Sequence, residues 1–232
     1  MTTPPEQSVL GIRKLLPARL RLSLEVEMNR LLVKGSRIVE YPFAIGSLDI
    51  THPCKLLAFG SFNDMSVAEC ASLGFDIYCF DLVGRPFVHP NIRFFRGDFL
   101  ITSAQFASNS FDAALGVSSI EHAGLYPEGE SQARDGDRRV VESIFRLLRP
   151  GGRLVMTVPF GKTGEYPPAK PSFRKYDVKA ISDLLSGFSL YRLATYSSDR
   201  ENNWRPASPS VLESDDSNSS KSVACIVAIK PS

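Results

Sequence analysis

No stretch of the chain approaches the roughly 20 apolar residues that a membrane-spanning helix needs. The opening, MTTPPEQSVLGIRK, has no apolar core long enough for a secretory leader. The four cysteines, Cys54, Cys70, Cys79 and Cys225, never fall at C-x-x-C spacing, so zinc and redox motifs find no support. Buried, reduced thiols and a cytoplasmic location are the expectation. Three histidines, His52, His89 and His122, are too scattered to suggest a metal cluster, and no metal is expected. A net charge of +2 is too small to argue for nucleic acid or a membrane surface. No internal repeat is visible.

What the chain does have is ordinary globular composition, 43% hydrophobic and 22% charged, over a length of 232 residues that suits one large domain with an extension. Residues 17–34 carry Leu20, Leu24, Met28, Leu31 and Leu32 at helical spacing, with Pro17 suited to a first helical position and Gly35 to a stop. Residues 1–52 are accordingly read as a helical extension and connector. In the connector, EYPFAIGSLDITHP, Pro42 and Pro53 are expected to discourage regular structure.

From residue 55 the pattern changes, and 53–232 read as the main domain. Apolar runs at 55–59, 76–80, 92–95, 111–118 and 153–160 predict strands. Helices are predicted over 64–73, with Asp64 as its cap, and over 137–148, capped by Asp135 or Asp137 and ended by RPGG. Buried strands alternating with helices imply a parallel sheet covered on both faces. In the tail, 188–196 and 222–230 are strands with no helical pattern between them, and pair most simply antiparallel.

In such a sheet ligands bind beyond the carboxyl ends of the strands. The first strand runs into Gly60 and Ser61, the second ends at Asp81, the third leads to Gly97-Asp98-Phe99, and the fourth to Ser118-Ser119-Ile120-Glu121-His122. A carboxylate accepts two hydrogen bonds from vicinal ribose hydroxyls, and a second can accept from an exocyclic amine. Taken singly, each residue has a structural explanation: a turn glycine, a strand-ending aspartate, a helix cap. Their placement at successive strand ends favours a nucleotide-like cofactor. Lys162, Lys170, Arg174, Lys175 and Arg205 make the rim basic, which would suit a phosphorylated or carboxylated acceptor, but ordinary surface charge is the preferred reading. Trp204 is expected to pack a loop onto the core.

The stretches LLAFGSFND, IYCFDL, RGDF, FDAALGVSSIEHAGL, LLRPGGRLVMTVPFG, RKYD and NWRP resemble the class I S-adenosylmethionine-dependent methyltransferases over residue 37 to the end. EYPFA and the EHAGL…DGD run resemble a bacterial subset that modifies sugars or glycan-linked metabolites. The resemblance implies an α/β fold with a Rossmann-like, mostly parallel sheet of seven strands, an antiparallel C-terminal strand and helices on both faces. It implies S-adenosylmethionine as cofactor, with Gly60, Ser61 and Phe62 along its methionine part. Asp81, with Leu82 beside it, would meet the ribose; Asp98 and Phe99 would meet the adenine, and Gly116 to Ser118 would pass under the sulfonium. His122 is the candidate base for a hydroxyl acceptor, while Glu121 could bind substrate or cofactor.

The implied activity is O-methylation of a small-molecule or sugar-type acceptor, with no membrane or nucleic-acid partner. The first turn departs from the family pattern. Ala58 stands where an acidic residue is usual, and Phe62 and Asp64 where glycines are. A catalytically weak or inactive binding protein with a degenerate cofactor loop is therefore the alternative.

Overall fold

The computed structural model describes residues 35–49, 51–61, 64–82, 88–125, 135–166, 172–217 and 221–232. The helix expected over 17–34 lies outside them, as do Phe62 and Lys170.

Eight strands form one sheet: β1 (Lys55–Phe59), β2 (Asp76–Asp81), β3 (Ile92–Arg96), β4 (Phe111–Val117), β5 (Leu148–Pro159), β8 (Ser189–Ser198), β9 (Trp204–Pro206) and β10 (Ser222–Ile229). Their spatial order is β3-β2-β1-β4-β5-β10-β8-β9. Pairing is parallel from β3 through β5, and antiparallel for β5 with β10, β10 with β8, and β8 with β9. The class is therefore the expected mostly parallel α/β sheet, with the tail strands paired antiparallel as their sequence suggested. Among the described residues the sheet has eight strands rather than seven. The additional strand is β9, only three residues long, which holds the edge of β8 from Tyr196 to Ser198. Residues β6 (Gly164–Tyr166) and β7 (Phe173–Lys175) form a separate two-stranded hairpin.

Alternation along the strands divides the core between the two faces. Leu57 of β1 joins a cluster with Phe80, Ile144 and Ile181, on the side covered by α3 (Phe99–Thr102), α4 (Gly136–Leu147) and α5 (Val178–Leu184). Leu56 and Ala58 face the other side, covered by α1 (Arg37–Gly46) and α2 (Met65–Ser72). A short α6 (Pro209–Leu212) lies between β9 and β10. The thiols of Cys70, Cys79 and Cys225 are buried and free, as expected. No helix among the described residues is long and apolar enough to cross a membrane.

The connector expectation fails at α1. Pro42 lies inside this helix, where its ring removes the bond to the Ile38 carbonyl. Ile38 is exposed, and the opposite face buries Glu40, Phe43 and Ala44. Packing of that face outweighs the cost of one proline. Asp64 caps α2 as read, accepting from the Ser66 amide at 2.9 Å. Asp135 occupies the cap position of α4 without a side-chain bond. Asp137 instead accepts from the Tyr176 hydroxyl at 2.8 Å.

Candidate active site

The sheet reverses direction of growth between β1 and β4, and the turns beyond these neighbours touch. Gly60 has φ +62°, and a Cβ there would lie 2.4 Å from the Ser119 Cβ. Only glycine fits both the backbone conformation and the space. Ser119 seals the contact by donating to the Gly60 carbonyl at 2.9 Å, while the Gly60 amide donates to the Phe80 carbonyl at 2.8 Å. Asp81 ends β2, half-buried with Leu82, and its carbonyl accepts from the Gly97 amide at 2.9 Å. This brings the third turn against the second. Asp98 and Ser61 are buried.

The structural explanation of Asp98 also holds, since it caps α3 through the Leu100 amide at 2.8 Å. Phe99 is packed edge-on against Phe59 and Phe80 and belongs to the core. Of the departures in the first turn, Ala58 is simply buried in β1. Asp64 is a buried cap whose carboxyl burial pushes up to about 6.

Beyond β4, Ser118 has φ +43°, a left-handed conformation uncommon for a residue with a side chain. Three contacts hold it there. Its amide donates to the Thr157 carbonyl and to Thr157 Oγ1 at 3.1 and 3.0 Å, and its hydroxyl donates to Glu40. Glu40, fully buried on α1, also accepts from Thr157 Oγ1 at 2.7 Å and pairs with Arg37 at 2.6 Å.

Sequence reasoning missed Arg37 and Glu40 because α1 was read as a connector, and Thr157 because its partner Glu40 lies there. The i, i+3, i+4 spacing of Glu40, Phe43 and Ala44, the residues this helix buries, was the available signal. His122 follows in the 3-10 turn Ile120–His122, with Nδ1 2.7 Å from the Ser172 carbonyl. Nδ1 therefore carries the proton and Nε2 the lone pair. Burial lowers the imidazole pKa, so the ring is neutral at pH 7. Glu121 is buried too, which pushes its carboxyl up to about 8, with the Glu40 charge adding to the effect. Its Oε1 is 3.9 Å from His122 Nε2.

A cavity of about 180 Å3 opens at this rim, lined in part by Arg37, Ser118, Glu121, His122, Phe173 and Val223. The described cations of the rim are largely committed elsewhere. Lys175 is buried against Asp215 at 2.9 Å, and Arg174 donates to the Ala123 carbonyl at 2.6 Å. Lys162 pairs with Asp216 at 3.7 Å. Trp204 packs against the apolar cluster beneath α1 and α2, as expected. No group of residues suited to holding a metal occurs among those described.

Residues 94–228 match the family described as Caenorhabditis protein of unknown function, DUF268. The chain belongs to that family. No curated protein matches this DUF268 chain by sequence.

Among solved structures, the DUF268 chain is similar to the 1,6-didemethyltoxoflavin-N1-methyltransferase of Burkholderia thailandensis, solved with 1,6-didemethyltoxoflavin and S-adenosylhomocysteine. The two share 16% identity at a TM-score of 0.63, covering 100% of this chain and 92% of that one. It is also similar to a SAM-dependent methyltransferase of Methanosarcina mazei, at 16% identity and a TM-score of 0.56, over 82% of this chain and 98% of that one. A third relative in fold is the S-adenosylmethionine-dependent methyltransferase of Mesorhizobium loti, with 12% identity, TM-score 0.52 and coverage of 82% and 97%. The DUF268 chain thus has the methyltransferase Rossmann-like fold.

Proposed function

We propose that the protein is an S-adenosylmethionine-dependent methyltransferase that O-methylates a small-molecule or sugar-type acceptor, with residues 53–232 as the transferase domain and 1–52 as its extension. The observation carrying this reading is the close packing of Gly60 on Ser119 at the β1/β4 switch, with Asp81 and Asp98 ending the neighbouring strands. A glycine at this place lets the turns after β1 and β4 close on each other and brings the strand ends together at the switch point, where such sheets bind ligands. The residues therefore fit the cofactor: Gly60 and Ser61 line its amino-acid end, Asp81 and Leu82 its ribose, and Asp98 its adenine amine. Ser118 lies at the end of β4, where the reacting groups would meet.

When bound, the sulfonium supplies a methyl group for in-line displacement, a reaction helped greatly by holding the two reactants in place. His122 is the proposed base: neutral, with its lone pair on Nε2, it can take the hydroxyl proton at pH 7. The S-adenosylhomocysteine in the Burkholderia structure supports this choice of cofactor.

Calorimetric titration with S-adenosylhomocysteine tests the proposal. Binding near micromolar, about −8 kcal/mol, is expected. Absence of binding up to millimolar would replace it with the degenerate-loop reading, in which Asp64 has traded cofactor contact for a helix cap.

A further inference from the structure

Ser118 is the first residue past β4, and a side-chain-bearing residue keeps its left-handed backbone only where the surroundings over-determine it. Here one oxygen does so. Glu40 Oε1 accepts from the Ser118 hydroxyl and, at 2.7 Å, from Thr157 Oγ1. With its proton committed to Glu40, Thr157 Oγ1 presents a lone pair to the Ser118 amide at 3.0 Å. A single carboxylate thus fixes Ser118 through both its side chain and its main chain. The other oxygen, Oε2, is taken by Arg37 at 2.6 Å, which pairs the buried charge.

Stability alone does not call for this arrangement. Well-packed apolar residues would fill the space beneath α1 without the cost of burying a charge, and a glycine would adopt φ +43° without help. What the carboxylate adds is a fixed backbone at one place, and that place is the rim. Ser118 and Arg37 line the cavity together with Ser36, Glu121, His122 and Ser222. The start of α1 therefore supplies part of the wall as well as the hold.

We propose that Glu40 is a positioning residue: it holds the Ser118 backbone in the conformation that shapes the ligand rim beyond β4, so that α1, within the extension, contributes to the site. Taking that ligand to be S-adenosylmethionine rests on the methyltransferase reading; the hold on Ser118 does not.

Two measurements on the full chain test it. In NMR spectra the Cα shift and the amide–α coupling at position 118 report its φ. Glu40→Gln keeps an oxygen for both hydroxyls and should leave these signals in place, whereas Glu40→Leu should move them out of the left-handed range. Calorimetric titration with S-adenosylhomocysteine reads the consequence: Glu40→Leu should cost about tenfold in affinity. Ser118→Gly removes the backbone strain, so in that background Glu40→Leu should cost less than about threefold. A residue that only stabilised the fold would cost the same factor in both backgrounds, and that result overturns the proposal. So do unmoved signals at position 118 in Glu40→Leu, or unchanged affinity in that variant. Should Glu40→Leu not fold, Ser118→Ala, which deletes only the hydroxyl, takes its place. Its signals at position 118 should move, and it should bind S-adenosylhomocysteine about fivefold more weakly than Ser118→Gly does; equal affinities overturn the proposal. If S-adenosylhomocysteine does not bind the wild-type chain, the cofactor reading falls and the NMR signals alone decide the hold.

Discussion

At the residue scale, the contact between Gly60 and Ser119 is the least forgiving. Gly60→Ala must hold a side chain at φ +62° and push Ser119 aside, and is expected to cost about 1–3 kcal/mol in a urea melt. A loss below a few tenths would mean the turn can relax. Asp81→Ala leaves the fold intact and should weaken S-adenosylhomocysteine binding by about 1–3 kcal/mol; unchanged calorimetric affinity would remove its ribose role.

Glu121 makes stability depend on pH in a definite direction. Its folded pKa, about 8, lies above the ordinary 4.5, so the folded chain keeps a proton that the unfolded chain releases. Stability is therefore greatest below that ordinary value and falls as pH rises through the window to about 8. Asp64 steepens the fall between 3.8 and about 6. His122, lowered from 6.5, acts oppositely and weakens the fold as pH drops beneath that value. Replacing Glu121 by glutamine should thus raise stability relative to wild type by a few kcal/mol at pH 8 and much less at pH 5. An equal difference at both pH values would exclude this carboxyl as the cause.

At the element scale, β1 to β5 were legible because each is a short apolar run bounded by turn residues. The pattern of a buried parallel strand is local. Helix α1 was not legible, since Pro42 is a strong local signal and the packing that overrides it is not local. Pro42 is exposed, so Pro42→Ala removes no buried contact and restores a main-chain bond. It should stabilise the protein by about 1–3 kcal/mol, read from the shift of the urea midpoint. A destabilising result would show that the proline fixes the entry to the helix. Glu40 was hidden for the same reason: its bond to Thr157 joins residues 117 apart in sequence. The strand-end residues Gly60, Asp81, Asp98 and His122 could be read because their place follows from sheet topology alone.

For the whole molecule, burial predicts where opening begins. Seven of the eight residues of β10 are buried, and it is paired on both sides, whereas the first four of β8 are exposed. Hydrogen exchange followed by mass spectrometry should find β4, β5 and β10 slowest and β8 and β9 much faster; equal protection in β8 and β10 would contradict this ordering. Because parallel strands are joined by long crossovers, residues distant in the chain meet at the sheet rim. Gly60 and Ser119 are 59 residues apart, yet each limits what the other can be. A lineage that replaces the glycine must both shrink its partner and rebuild the turn at φ +62°, so across homologues the two positions should change as a pair or stay as they are.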